Sequence, residues 1–335
     1  MVRTNGLIDI QDLATKALPL FGFLNAKDVP TGRTLLTLIA SWENTIYRLD
    51  SDEGAFVLRL HPACTRSTNM VTSELDWLEF LSEKGLRVPR PRLSPDGQSA
   101  VYVSLGDPLN ARICSILTWM PGVVRPASNQ NMESAGMLLA RLHRCGIPPF
   151  VSFNRPKLDF DWLVGSRGGL GYGPAPLNTL PTEYSLARNI AIPSIAEAFT
   201  IVQDQGVQLV PIHGDFHLGN LVFDDGTPMP IDFDDCGLGL PHYDIATFLH
   251  LHRESKDWSD LMNAFLRGYA SAAHLPPQLF ETLDRFMLAR RLCMLLWMAA
   301  KARSDARMRS QLPKMLDNLN RLLVAIGVKS MRGSS

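Results

Sequence analysis

Apolar positions follow two different periods along this chain, and the change falls near residue 120. Before it, Leu35–Ala40, Asn44–Leu49 and Ala55–His61 are short runs rich in apolar and β-branched residues. Turn residues such as Asp50-Ser51-Asp52-Glu53-Gly54 separate them, so they read as strands. A short amphipathic helix is predicted over 9–24. A longer one covers Asn69–Lys84 and stops at Gly85, where helices often end. The Pro-rich connector Val88-Pro-Arg-Pro leads to two more strands, Ala100–Ser104 and Ile113–Trp119. The order β-β-β-α-β-β predicts a small antiparallel sheet with one helix.

Met120-Pro121-Gly122 breaks the pattern, and the helical period dominates afterwards. Helices are predicted at Asn131–His143, about Ser185–Gln205, Trp258–Ala273, Pro277–Arg303 and Arg307–Val324. Only a hairpin around 207–231 is strand-like. The fold class is therefore α+β in two lobes: 1–117, a hinge at 118–122, and 123–335. The Gly- and Pro-rich stretch 164–182 reads as a loop or lid.

Composition narrows the function classes. The 335 residues, 46% hydrophobic and 20% charged, describe an ordinary globular chain long enough for two domains. A net charge of zero argues against broad nucleic-acid binding, which depends on neutralising phosphates. No signal-peptide core follows Met1–Asp12, and the most apolar run, Phe286–Ala300, is interrupted by Arg290-Arg291. That run is expected to be a buried C-terminal helix, with no membrane partner. Five scattered cysteines without a C-x-x-C pair fit a reducing cytoplasm.

The densest chemistry lies in His213-Gly-Asp-Phe-His-Leu-Gly-Asn220, followed by Pro-Ile-Asp232-Phe-Asp234-Asp235. Strand-like runs at Val207–Ile212 and Asn220–Phe223 flank the first segment, and the turn Asp224-Asp225-Gly226-Thr227 precedes the second. A hairpin would fold Asp232 back beside Asn220. Asp215 is then placed for a substrate hydroxyl, while Asn220 and Asp232 offer hard oxygen ligands for Mg²⁺.

Motifs spread along most of the chain accompany this centre: Glu43-Asn44-x-x-Tyr47-Arg48, Phe56-Val-Leu-Arg59, Glu74-Leu-x-Trp-Leu78, Val88-Pro-x-Pro91, Leu117-Thr-Trp-Met-Pro-Gly122, Leu139-Ala-Arg-Leu-His143 and Tyr243-Asp244-Ile-Ala246. Together, in this order, they resemble the aminoglycoside phosphotransferase family, a branch of the protein-kinase-like fold. The resemblance implies a nucleotide-binding first lobe and a second lobe with the catalytic loop and acceptor-binding helices. It implies transfer of the γ-phosphoryl group of ATP or GTP, with Mg²⁺, to a hydroxyl of an antibiotic, amino alcohol or sugar. Asp215 would be the catalytic carboxylate, with His213 bracing the loop and His217 either touching substrate or packing. Asn220 and Asp232 would hold the metal, and Asp234 would add charge nearby or shape the turn. Arg59 would hold nucleotide phosphates, Ser41 in the loop Ala40–Asn44 would meet phosphate oxygens, and backbone groups of Thr118 and Met120 would meet the purine.

Arg59 shares a strand face with Val57, and Glu74 adjoins the apolar stripe Val71, Leu75, Leu78 and Leu81. A carboxylate on the buried side needs a partner, and Arg59 is the natural one. Asp244 reads as a helix N-cap; the resemblance further implies that it hydrogen-bonds the catalytic loop and that His143 is a scaffold residue. Asp159, Asp161, Glu183, His242, Glu254 and Asp257 are acids or imidazoles available to an acceptor pocket, and acids there would suit a cation. A protein Ser/Thr acceptor is the alternative, disfavoured because only eight residues separate Asp235 from Asp244. Two other readings are a nucleotide-binding pseudokinase and a metallohydrolase built on His213, Asp215, His217 and the later acids.

Overall fold

The computed structural model describes residues 10–23, 35–41, 44–62, 67–106, 111–148, 152–171, 182–303 and 305–327. The chain divides into two compact units. The first comprises Met1–Gly122, Ile147–Asn154 and Met229–Asp234, and the second Val123–Gly146, Arg155–Pro228 and Asp235–Ser335.

The first unit opens with α1 (Ile10–Ala17), which passes into a 3-10 turn at Leu18–Phe21. The predicted helix over 9–24 is thus shorter than its pattern. Pro19 has no N–H to continue the α-helical ladder, and the chain tightens to the 3-10 turn. Strands β1 (Leu35–Ser41), β2 (Thr45–Ser51) and β3 (Gly54–Leu60) precede α2 (Thr68–Glu83). Then come β4 (Pro91–Arg92), β5 (Ala100–Val103) and β6 (Arg112–Thr118). Among the described residues these strands make one six-stranded sheet, β1-β2-β3-β6-β4, with β5 also on β6. All their pairings are antiparallel. The Pro-rich connector therefore contributes a strand as well: Pro91 pairs with Leu117 and Arg92 with Ile116. One sheet face packs on α1 through Leu13, Leu18, Phe21, Tyr47, Leu49, Leu58 and Ile116. The face of α2 marked by Val71, Leu75, Leu78 and Leu81 is buried, as its stripe predicts.

The second unit contains α3 (Asn129–Cys145), β7 (Lys157–Leu158), α4 (Phe160–Leu163), α5 (Thr182–Asp204), β8 (Val210–Ile212), β9 (Leu221–Asp224), and the start of β10 (Thr227–Pro230). It continues with β11 (Gly237–Gly239), α6 (Pro241–Leu249), α7 (Trp258–Ala272), α8 (Leu279–Lys301) and α9 (Ala306–Ala325). β9 and β10 pair as the predicted hairpin. β7, β11 and β8 form a small three-stranded sheet whose strands are too short to carry a sequence period. Only 210–212 of the predicted run 207–212 is strand, because pairing with β11 ends there. Helix α8 begins at Leu279 rather than Pro277, since Gln278 sits in left-handed backbone.

Of the predicted lid, residues 164–171 are described and lie against α8, where Gly169 abuts the backbone of Leu296 and Trp297. The remainder up to 181 lies outside the described residues. No helix among the described residues is long and apolar enough to cross a membrane.

Helices α3 and α7 approach closely at two glycines. A Cβ on Gly136 would stand 2.0 Å from the Phe265 carbonyl oxygen, and one on Gly268 would stand 1.9 Å from that of Glu133. Helix propensity alone makes Gly136→Ala stabilising by about 1 kcal/mol. The backbone contact reverses the sign, and we expect a loss of about 2–3 kcal/mol in urea unfolding.

His250, which caps α6, is buried and donates from Nδ1 to the Thr247 carbonyl at 2.7 Å. Burial lowers its pKa, and Arg290 adds to this against the Thr247 bond, so it falls from 6.5 to about 3. The unfolded chain binds this proton first as pH falls, so the stability due to neutral His250 is complete above pH 6.5 and is lost toward about 3. Acidifying from pH 6.5 to 4.5 should remove about 2–3 kcal/mol through this group. Urea titrations at each pH should show a shallower acid slope in His250→Asn.

Candidate active site

In the second unit the loop from His213 to Asn220 joins β8 to β9 through a 3-10 turn at Leu218–Asn220. One fully buried carboxylate holds its start: Asp244 accepts from the His213 N–H at 2.7 Å and from the Gly214 N–H at 2.8 Å. His143 Nε2 lies 3.2 Å from Asp244 Oδ2, and its Nδ1 lies 2.9 Å from the Tyr269 hydroxyl. Donation by Nε2 to the carboxylate leaves Nδ1 as the acceptor for that hydroxyl. Gly214 has φ +81°, and a Cβ there would stand 2.3 Å from the Asp235 carbonyl oxygen, so the position requires glycine.

The expected N-cap role of Asp244 is corrected. Leu240 is the N-cap of α6 and Pro241 is its first residue, so Asp244 lies inside the first turn. Its carboxylate faces the loop backbone, which is the second half of the expectation. His143 has the scaffold place expected of it.

Asp215 follows this anchored pair. The buried His213 accepts from the Asp215 N–H through Nδ1 at 3.3 Å. Asn220 Nδ2 donates to the Asp215 carbonyl at 3.0 Å and to Oδ2 at 3.3 Å. His217 caps the 3-10 turn by accepting from the Gly219 N–H, with Nε2 3.6 Å from Asp215 Oδ2. The other carboxylate oxygen, Oδ1, accepts from Nη2 of Arg290 on α8. Burial by itself would push the Asp215 carboxyl up. The Arg290 guanidinium outweighs that, with help from His217 and His213, and holds the carboxyl well below the usual carboxylate range.

Sequence reasoning missed Arg290, reading Arg290-Arg291 only as an interruption of an apolar run. The signal was available: an arginine in a helix buried nearly all round needs a partner. Arg291 meets the same need elsewhere, donating to Glu254 and to the His250 carbonyl.

The first unit holds the other predicted residues. Arg59 and Glu74 are paired at 2.8 Å with side chains only 4% and 1% exposed, the contact their spacing indicates. Asp234 Oδ1 lies 3.9 Å from Arg59 Nη1 and 3.8 Å from His61 Nδ1, so its charge faces the basic side of β3. Burial would lower the Arg59 pKa, but Glu74, Asp234 and Asp232 together raise it and keep the guanidinium charged. Asp232 is exposed and has φ +63°, a left-handed backbone that Asp tolerates better than most residues. Thr118 ends β6, where its Oγ1 accepts from the Arg90 N–H at 2.9 Å, and Met120 lies two residues beyond. Ser41 ends β1, exposed, with its hydroxyl 3.4 Å from that of Thr45. Asn44 is buried, and Trp42 and Glu43 of the same loop lie outside the described residues.

Asn220, in the second unit, commits its amide nitrogen to Asp215 and so keeps its oxygen as an acceptor, and Asp232, in the first unit, is an exposed residue; amide and carboxylate oxygens are the kind of hard donor that Mg²⁺ takes. The imidazoles fit a metallohydrolase poorly, since His213 Nδ1 and His217 Nδ1 already accept from backbone N–H groups. Among the described residues no group of three or more His, Cys, Asp or Glu could hold a metal ion.

The acids read as acceptor ligands are engaged elsewhere. Asp159 caps α4, and Asp161 holds Ser166 and Arg167 in the following loop. His242 is buried against Phe286 with Nε2 on the Pro277 carbonyl. Glu254 bridges Arg291 and Arg321, whereas Asp257 is exposed. The Glu183 side chain lies outside the described structure.

The model of the phosphotransferase enzyme family (APH) matches residues 35–282. The chain belongs to this family. A relative from Synechocystis sp., an uncharacterised protein, is 27% identical over 234 residues, covering 69% of this chain and 63% of its own, so this chain spans less than two thirds of it. The homoserine kinase of Acidiphilium cryptum is 27% identical over 293 residues, 81% of this chain and 84% of that enzyme. Among solved structures, the amicoumacin kinase hAmiN, in complex with AMP-PNP, Ca²⁺ and Ami, superposes with a TM-score of 0.75 at 19% identity, covering 93% of each chain. That likeness shows the fold, which is kinase-like and α+β as the sequence indicated.

In this member of the phosphotransferase enzyme family the Arg59–Glu74 contact is a buried ion pair, and removing one partner strands the other charge. We expect Glu74→Ala to lower the unfolding free energy by about 3–5 kcal/mol in urea titration. The double replacement Arg59→Met with Glu74→Leu should recover most of that loss.

Proposed function

We propose that this protein transfers the γ-phosphoryl group of ATP, or GTP, to a hydroxyl of a small molecule, with an amino alcohol as the preferred acceptor class. The observation that carries this reading is the Asp215 carboxylate, held ionised by Arg290 and oriented by Asn220 in a loop anchored on Asp244. Family membership supports the reaction class. The name of the homoserine kinase relative supports the acceptor class, since homoserine, an amino acid, carries an amino group and a primary hydroxyl on one short chain, and the AMP-PNP and Ca²⁺ bound to hAmiN support a nucleotide with a divalent cation.

In this reading Asp215 accepts a hydrogen bond from the acceptor hydroxyl and aims its oxygen at the γ-phosphorus. A bond forms between that oxygen and phosphorus, the bond to the nucleoside diphosphate oxygen breaks, and the hydroxyl proton passes late to the Asp215 carboxylate, which releases it to solvent. A carboxylate of such low basicity suits a loose transition state, which asks for little early proton transfer. Asn220 and Asp232 would hold Mg²⁺, which when bound would supply positive charge against the nucleotide phosphates. Arg59, fixed by Glu74, meets phosphate oxygens, as does Ser41, while backbone groups of Thr118 and Met120 meet the purine.

The test is an ATP- and GTP-depletion screen over homoserine, simpler amino alcohols, choline, aminoglycosides, sugars and generic protein substrates. Saturable, Mg²⁺-dependent turnover of an amino alcohol is expected. Asp215→Ala should lower kcat by about 10³-fold while the dissociation constant for Mg·ATP stays within about threefold. Unchanged turnover in that variant would remove Asp215 from the chemistry, and transfer only to protein would replace the acceptor class.

A further inference from the structure

Arg290 lies on α8 among Phe286, Met287, Leu288, Ala289, Leu292 and Cys293, all buried. Its side chain is 5% exposed, whereas that of Asp215 is 22% exposed. The arginine thus belongs to the interior, and the carboxylate stands at its margin. The guanidinium makes more than one contact with the loop: Nη2 donates to Asp215 Oδ1, and Nη1 points at the Gly214 carbonyl at 3.4 Å and the Tyr243 hydroxyl at 3.5 Å. One rigid fork therefore touches both the carboxylate and the backbone of the residue before it. The opposite oxygen, Oδ2, is flanked by Asn220 Nδ2 at 3.3 Å and His217 Nε2 at 3.6 Å.

We infer that Arg290 is a positioning residue for phosphoryl transfer: by holding Oδ1 it fixes the plane of the Asp215 carboxylate and makes Oδ2 the oxygen that receives the acceptor hydroxyl. This rests on the kinase reading above. The assignment follows from geometry. An ionised carboxylate has two oxygens that a free side chain interchanges by rotating about χ2. A guanidinium anchored on α8 and on the Gly214 carbonyl stops that rotation, because Nη1 and Nη2 are engaged at once. Asn220, on the other side, orients the same oxygen that the hydroxyl approaches. Arg290 touches no substrate and acts through Asp215. Misorientation of a reacting group by a fraction of an ångström lowers the rate of transfer without weakening nucleotide binding.

The test compares wild type, Arg290→Met and Arg290→Lys in three measurements: phosphoryl transfer from Mg·ATP, affinity for Mg·ATP by calorimetry, and the thermal midpoint. Water serves as the acceptor in every case, together with any compound that the screen shows to be turned over. We expect Arg290→Met to lose about 100-fold in kcat with an unchanged dissociation constant for Mg·ATP. Lysine keeps the charge but lacks the fork, so Arg290→Lys should be intermediate, about tenfold down, with its thermal midpoint close to wild type. Should Arg290→Met fail to fold, Arg290→Lys carries the decision through the same split between kcat and nucleotide affinity. Wild-type kcat in a folded variant would overturn the positioning role and leave the kinase reading intact. A loss of Mg·ATP affinity parallel to the loss of rate would also overturn it, since that marks a structural effect. A wild-type protein that binds Mg·ATP and transfers phosphoryl to nothing, water included, would overturn the kinase reading and this inference with it.

Discussion

A carboxylate with no exposure to solvent organises the loop from His213 to Asn220. Asp244 takes two backbone N–H groups, from His213 and Gly214, and a third contact from His143. Left unpaired, such a group would cost several kcal/mol in a dry interior. With its partners it gives the loop one conformation, because the donors belong to consecutive residues and both must point the same way. Gly214 can meet that demand only with a positive φ, and the Asp235 carbonyl occupies the space a side chain would need. The direction of the next residue, Asp215, is therefore set by backbone geometry before any side chain is considered. Tyr269 extends the same network to α7, so the loop is coupled to the closely packed α3–α7 pair as well as to α6.

Much of the fold was legible because the helices and most of the strands carry a clear period. The β-β-β-α-β-β order and the long helices after residue 122 follow from it. What failed was short or non-periodic. The two-residue strand β4 exists because Pro91 and Arg92 find an edge on β6, and β7 and β11 exist because Gly237–Gly239 finds partners on either side. Those are tertiary events with no local signature. The candidate centre was legible for a different reason: Asp215 and Asn220 must keep a fixed spacing in one loop, and the Glu74 carboxylate on an apolar stripe demands a cation. Arg290 was missed because it lies 75 residues from Asp215 in sequence and the run around it, Phe286–Ala300, is otherwise apolar apart from Arg291.

Acceptor recognition left no comparable trace. Acidic residues in the second unit invited a cation-binding reading, but helix capping, loop closure and arginine bridging already engage most of them. Asp161 illustrates the difference. Hydrogen bonds from Ser166 and Arg167 hold its carboxyl down at about 2, so its charge is committed to its own loop. Residue type alone does not separate such a structural acid from a ligand-binding one; the partners do.

Two buried arginines, each hydrogen-bonded to a carboxylate, illustrate what such pairs contribute. Neither the Arg59–Glu74 contact nor the Arg290–Asp215 contact is an economical source of stability, because each ion loses several kcal/mol of hydration and the attraction returns about as much. A methionine and a leucine would serve the core as well. What the pairs provide is a fixed charge in a fixed direction. Glu74 holds one end of the Arg59 guanidinium, and Asp234 Oδ1 lies 3.9 Å from the other. Arg290 holds Asp215 Oδ1 from the interior, while the Asp215 side chain stays 22% exposed. Both arrangements place the cost of desolvation in folding, so that each charge already points in one direction in the folded protein.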